Sequence, residues 1–263
     1  MQGLESLTDL EAIKVAGENG VVRITLNRPE RLNSFSKTMH LELKQALAAI
    51  KRLKDLRLLV LTGEGRGFCA GQDLEERRIP EGEPRPDLGD SLKNTYSPLV
   101  SALRELPVPT IAAVNGVAAG AGASIALACD IVIAKRGAKM TFPFSHLGLV
   151  PDAGATSTLV RNIGQARAMA VAMLGEMILA EEAEQMGLIW SAVDADQFED
   201  QVESTIKNLL GRPALGLELI KRSMYQAYEN SFAEQLELES SCQKLAGRNP
   251  EFWDRVNAFL NKK

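Results

Sequence analysis

The sequence predicts an α/β fold in which strand–strand–helix units repeat and then give way to a helical C-terminal region. Three observations carry this. "EAIKVAGENGVVRITLN" holds two alternating runs around Asn19-Gly20, a hairpin signal. Short β-branched runs ("LRLLVLTGEG", "TIAAVNG", "IVIA") alternate with helical stretches and end in small-residue turns. Beyond Asp152 nearly everything has helical spacing, from "STLVRNIGQARAMAVAML" to "EFWDRVNAFLNKK". A length of 263 residues suits one large domain, or one domain with a helical appendage. We expect a core over 1–195 and a helical region over 196–263.

In chain order, the hairpin is followed by the loop "NRPERLNSFS", in which Ser36 is placed to cap a helix. Met39, Leu41, Leu43, Leu47 and Ile50 form the apolar stripe expected for that helix. "LRLLVLTGEG" reads as a buried strand ended by glycines, and "GRGFCAGQDL" as a Gly-rich turn. From 75 to 90 the composition shifts to Pro, Gly and charge, which predicts a mobile surface loop or lid. A helix is expected over about 91–106, then the strand "TIAAVNG", the Gly-entered helix "AGAGASIALACD" and the short strands "IVIA" and "KMTF".

Composition excludes several classes. The net charge is −4 and the basic residues reach no further than pairs such as Arg77-Arg78 and Lys262-Lys263, which argues against a nucleic-acid partner. Cys69, Cys129 and Cys242 are far apart with no CxxC, so neither a disulfide framework nor a metal site is expected, and a reducing cytoplasm fits. "MQGLESLTDL" is acidic rather than apolar and does not read as a signal peptide. Residues 116–134 are nearly long enough to cross a bilayer, but Asp130 and the glycines make them loop, helix and strand instead. No membrane association is expected.

Two turns could carry chemistry. "FCAGQDL" and "GVAAGAG" each follow a strand, and small residues there let backbone approach backbone or ligand closely. The second opens a helix, whose amides would suit an oxyanion. Tight strand–helix packing explains the same residues, and spacing alone favours it. "GAGASI" has Ile125 where a dinucleotide fingerprint needs its third glycine. Ser124 lies outside any GxSxG elbow, and the only histidines are His40, expected on a helix surface, and His146. Cys69 reads as a packing residue. Asp152, in "GLVPDAGAT", is either a turn and cap residue or an acid–base group.

"GRGFCAGQDL", "AAVNGVAAGAGASIALACDIVIA" and "FSHLGLVPDAGAT" together resemble the crotonase (enoyl-CoA hydratase/isomerase) superfamily, from about residue 12 to the C-terminus. Within it, "RPDLGDSL", "LAEEAEQMGLIW" and "LESSCQKLAGRNPEFW" are most similar to the branch that isomerises a ring epoxide of an arylacetyl-CoA to an oxepin. The resemblance implies a ββα spiral core with a C-terminal helical trimerisation region, a homotrimer or a hexamer built as a dimer of trimers, and a coenzyme A thioester as substrate with no permanently bound cofactor. It implies an oxyanion hole at the amides of Gln72 and Ala121. It also implies substrate and CoA contacts at Ala70, Gly71, Asp73, Leu74, Gly120 and Phe144, with Arg28 or Arg31 for the phosphates. The superfamily's hydratases carry two glutamates at positions that Ser124 and Phe144 occupy here, so ordinary hydration is not expected. The resemblance then assigns Asp152 as the proton-shuttling carboxylate of an acyl-CoA isomerase, acting on a ring epoxide or an enoyl-CoA double bond. Alternatives are a hydratase-like enzyme, an aryl-CoA dehalogenase, which would need a histidine base from the lid, and a non-catalytic CoA-ester binder.

Overall fold

Strands β1 (Ile13–Glu18) and β2 (Val21–Leu26) pair antiparallel through Asn19 and Gly20, whose φ angles of 51° and 82° are those the hairpin signal requires. The computed structural model describes residues 3–4 and 7–261. The Lys262-Lys263 pair and Met1, Gln2, Glu5 and Ser6 of the N-terminal stretch lie outside the described residues. Helix α1 (Lys37–Ile50) is capped by Ser36, whose Oγ accepts the Met39 amide at 3.1 Å. Its buried stripe is Met39, Leu43, Ala46, Leu47 and Ile50. Leu41 departs from the expectation and is 63% exposed, because two residues beyond Met39 puts it on the opposite side of the helix. The buried Glu42 carboxylate accepts the amides of Glu11 and Ala12 at 2.8 Å and of Ile13 at 3.1 Å, which fastens the start of β1 to α1.

Three turns of a spiral follow. The first runs β3 (Leu58–Gly63), β4 (Gly67–Cys69), then α2 (Leu88–Asn94) and α3 (Tyr96–Glu105). The second is β5 (Thr110–Val114), β6 (Val117–Ala119) and α4 (Ala121–Ala126). The third is β7 (Ile131–Lys135), β8 (Lys139–Thr141) and α5 (Ala155–Leu174). β9 (Met177–Leu179), α6 (Ala180–Gln185), β10 (Ser191–Val193), α7 (Phe198–Leu210), α8 (Ala214–Gln226), α9 (Phe232–Gly247) and α10 (Pro250–Leu260) complete the chain. The first strand of each turn joins a sheet ordered β1-β2-β3-β5-β7-β10, and the second joins a sheet ordered β4-β6-β8-β9. Both are parallel except for the β1–β2 and β8–β9 pairs.

The continuous apolar run in β3 follows from burial on both faces. Leu59 and Leu61 enter the main core, whereas Leu58 and Val60 join Ile111 and Ile133 against Phe198, Val202 and Ile206 of α7. Helix α8 is fixed through Asp130, whose carboxylate accepts Tyr225 Oη at 2.8 Å, pairs with Lys221 Nζ at 2.9 Å and accepts the Thr110 amide at 2.8 Å.

Several expectations change. The turns at "GRGFC" and "GVAA" contain β4 and β6, and the helical tail contains β9 and β10. Three-residue strands are too short to show a period of two. The helix expected over 91–106 is two helices, broken at Thr95 (φ −123°, ψ −75°). Helix α5 kinks at Gly164, where φ is 75° and ψ 163°. The 75–90 segment begins with a single 3-10 turn, Glu75–Arg77, and stays exposed up to α2, with Arg77 the half-buried exception. Residues 116–134 form β6, α4 and β7, and no helix among the described residues is long and apolar enough to cross a membrane.

Candidate active site

The two small-residue turns meet backbone to backbone. A Cβ added at Gly71 (φ 89°) would stand 2.7 Å from the Ala119 carbonyl oxygen and 3.5 Å from the Ala121 nitrogen. A Cβ added at Gly122 would stand 2.2 Å from the Cys69 carbonyl oxygen. Only glycine permits either approach. Gly122→Ala is therefore expected to destabilise the fold by about 3 kcal/mol or more, because backbone on both sides has to move. The urea midpoint checks this.

Two amides lie at this contact. In the bridge between Phe35 and Gln72, Phe35 N–H donates to Gly71 O (2.7 Å) and Asp73 N–H to Phe35 O (3.0 Å), so the Gln72 N–H points away from that bridge. Ala121 is the first residue of α4, and its N–H is one a helix cannot satisfy internally. Gly120, at φ 53° and ψ −126°, turns the chain into that position.

Asp152 follows the 3-10 turn Pro143–Leu147 and precedes α5. It does not cap the helix with its side chain: Gly154 holds the cap position, and Asp152 contributes only its carbonyl, to the Ala155 amide at 3.0 Å. Ala153 and Gly154, at φ 52° and 83°, reverse the chain and leave the carboxyl directed inward. Oδ1 is buried without a hydrogen-bond partner among the described residues. Burial pushes the carboxyl up to about 6, against the pull of the Arg77 charge.

A cavity of about 570 Å³ brings these groups together. Asp152, Ala70, Gly71, Gln72, Leu74, Gly120, Ala121 and Phe144 all line it. The other three expected contacts are placed elsewhere. Arg28 Nη2 bonds Asp73 Oδ2 at 2.9 Å and its Nη1 the Ser34 carbonyl at 2.7 Å, so Arg28 and Asp73 are spent on each other and on their loop. Arg31 is exposed at the end of the turn Pro29–Arg31. Of the two glutamate-equivalent positions, Phe144 is apolar and buried, and Ser124 Oγ bonds the Gly120 carbonyl at 3.2 Å.

Arg77 and Tyr96 are among the cavity residues that escaped sequence reading. Arg77 Nη2 donates to Gln72 Oε1 (3.2 Å) and Ser91 Oγ (2.8 Å), and Tyr96 Oη donates to Gln72 Oε1 (3.0 Å). Gln72 Nε2 in turn bonds the Phe35 carbonyl at 3.0 Å. In the sequence Arg77 is one charge in a charged loop and Tyr96 one aromatic in a helix, and neither carries a local signal. His40 is a correction. Rather than lying on a helix surface, it is half-buried, stacked on Phe35 at 5.0 Å and edge-on to Tyr96 at 4.5 Å. Burial, and then the Arg77 charge, lower it to about 4. Cys69 is buried and its thiol pushed up to about 12, which suits packing rather than reactivity. Among the described residues no cluster could hold a metal ion.

Comparison with known proteins places this arrangement. The model of the Enoyl-CoA hydratase/isomerase family matches residues 16–263. The 1,2-epoxyphenylacetyl-CoA isomerase of Escherichia coli (strain K12) is 50% identical over 94% of each chain. A protein of Rhodobacter capsulatus named as a probable enoyl-CoA hydratase is 42% identical over 93% of each. The crystal structure of an enoyl-CoA hydratase from Bacillus anthracis superposes with a TM-score of 0.89 at 29% identity, covering 96% of this chain and 97% of that one. With its paired glycine turns, its spiral of two sheets and this breadth of similarity, the chain belongs to the enoyl-CoA hydratase/isomerase family.

Proposed function

We propose that this enzyme is an acyl-CoA isomerase in which Asp152 moves a proton on a thioester held by the amides of Gln72 and Ala121. The substrate class is a ring-epoxidised arylacetyl-CoA or an enoyl-CoA, the first suggested by the relative at 50% identity. The observation that carries the reading is Asp152 Oδ1, buried without a hydrogen-bond partner among the described residues, in the wall of the cavity that both turns line. A carboxyl at about 6 is ionised often enough near neutrality to take a proton and acidic enough to return it. Proton loss beside the carbonyl builds charge on the thioester oxygen, where two fixed amides stabilise it. The same carboxyl then gives the proton to another carbon, so no atom is gained or lost. Hydration needs a second acid–base group. Phe144 cannot supply one, and the Ser124 hydroxyl is tied to Gly120. With Arg28 committed to Asp73, Arg31 is the better candidate for the phosphates, and Ala70, Gly71 and Leu74 for the adenine end.

Turnover in heavy-oxygen water, followed by mass spectrometry of the acyl-CoA product, tests this. An isomerase leaves the product unlabelled. Solvent oxygen in the product would overturn the reading in favour of hydration or hydrolytic dehalogenation.

The reading extends to assembly as a homotrimer or a dimer of trimers. Large apolar side chains stand exposed on the last three helices, including Phe232 at 80% and Phe259 at 72%, more than a solvated surface needs. Residues 196–263 would then serve assembly, with α7 as their anchor under the sheet. Light scattering is expected to give three or six times the mass of one chain, and a stable monomer at micromolar concentration would refute it. Cys69, Cys129 and Cys242 are free and buried, which suits a reducing cytoplasm.

A further inference from the structure

A second cavity of about 540 Å³ lies between α1 and the α2–α3 pair. Leu41, Leu47, Ala48, Pro98, Leu99 and Ala102 give it an apolar wall, and Lys37, Lys44, Lys51 and Glu76 are among the charged residues that also line it. Two residues, Gln72 and Arg77, line both this cavity and the one that holds Asp152, so their side chains form the wall between them. Gln72 is immobilised by bonds to the Phe35 carbonyl, Arg77 and Tyr96. Among the described residues the Arg77 guanidinium donates to Gln72 Oε1 on one side and to Ser91 Oγ of α2 on the other. The partition thus depends on one side chain, and that side chain comes from the loop that leads into α2.

We propose that Arg77 is a specificity-determining residue: bridging Gln72 and Ser91, it closes the acyl end of the active-site cavity off from the second cavity and restricts the enzyme to compact acyl groups. Cutting Arg77 back nearly doubles the space open to the acyl chain. The added space is lined by side chains that favour methylenes. In place, Arg77 presents a guanidinium that a long alkyl chain would have to desolvate without giving it a partner.

This rests on the acyl-CoA reading above, and the test reads binding rather than turnover. Affinities of phenylacetyl-CoA, hexanoyl-CoA and dodecanoyl-CoA are measured by calorimetry for the wild type and Arg77→Ala. The variant is expected to shift the dodecanoyl-to-hexanoyl affinity ratio by about tenfold or more towards the longer chain. Adding Ala48→Trp, which fills the second cavity from the exposed side of α1, is expected to return the ratio to its wild-type value. An unchanged ratio in Arg77→Ala overturns the partition, and so does a gain that survives Ala48→Trp. If Arg77→Ala does not fold, Ser91→Ala removes the 2.8 Å tether and is expected to move the ratio the same way. No movement there also overturns it. Wild-type protein that binds none of the three thioesters sinks the acyl-CoA reading itself, a result distinct from binding without chain-length control.

Discussion

Asp152→Asn is expected to lower kcat by about 10²–10⁴ while leaving CoA-thioester affinity nearly unchanged. The upper end is expected, because in the proposed mechanism one carboxyl both takes and returns the proton, and an amide does neither. The Gln72 and Ala121 amides and the rest of the cavity wall are untouched, so binding persists. Stability separates this from a turn role. The carboxyl lies at about 6 in the folded chain against 3.8 when exposed, so between those values the folded state holds a proton that the unfolded state has released. Stability contributed by this group therefore falls as pH rises from about 4 to 6, and the full deficit is present above 6. A shift of this size corresponds to at most about 3 kcal/mol, less for a group with some solvent contact. Asparagine removes the buried charge, so the variant is expected to melt at or above the wild-type temperature at pH 7.5 while being nearly inactive. In the wild type, kcat/KM is expected to fall as pH drops below about 6, where the base becomes protonated. Near wild-type turnover in Asp152→Asn would return the residue to being part of a turn.

Ala121→Pro is expected to lower kcat by about 10²–10³, the usual loss for one oxyanion donor. Proline is well suited to the first position of a helix, so the substitution deletes the amide hydrogen with little effect on α4 itself. Substrate affinity is expected to fall less than turnover, since the oxygen carries its full charge only in the transition state. Gln72→Ala supplies the contrast. Its amide survives, but the side chain that anchors Arg77 and Tyr96 is lost. Its loss therefore does more than a purely backbone role for Gln72 would predict, and it falls on substrate selection more than on kcat. Equal small losses in both variants would remove Ala121 from the oxyanion hole.

Much of the architecture is legible along the chain, because hairpin chemistry, helix capping and two-faced burial are properties of consecutive residues. Asn19-Gly20 makes its hairpin, Ser36 caps α1, and the unbroken apolar run of β3 is covered on both faces. The paired turns and the absence of an acid at Phe144 were legible too. So, through the family resemblance, was Asp152 as the remaining carboxylate, though its residue type and spacing alone favour a turn or cap. The inward turn of its carboxyl depends on backbone angles at Ala153 and Gly154 and on what packs over them. Three-residue strands carry no period, so β4, β6, β9 and β10 appear only when they pair.

By itself, then, the sequence determined the longer strands and helices and, through its resemblance to the family, which two acids are missing. The tertiary structure alone decided that Gly71 and Gly122 bring the two turns into backbone contact, that His40 is tucked under Tyr96, and that Arg77 stands between two cavities. The physical reason is range. Periodicity and turn chemistry act over a few neighbouring residues, whereas these contacts join positions tens of residues apart. They exist only once the spiral has stacked its sheets and helices.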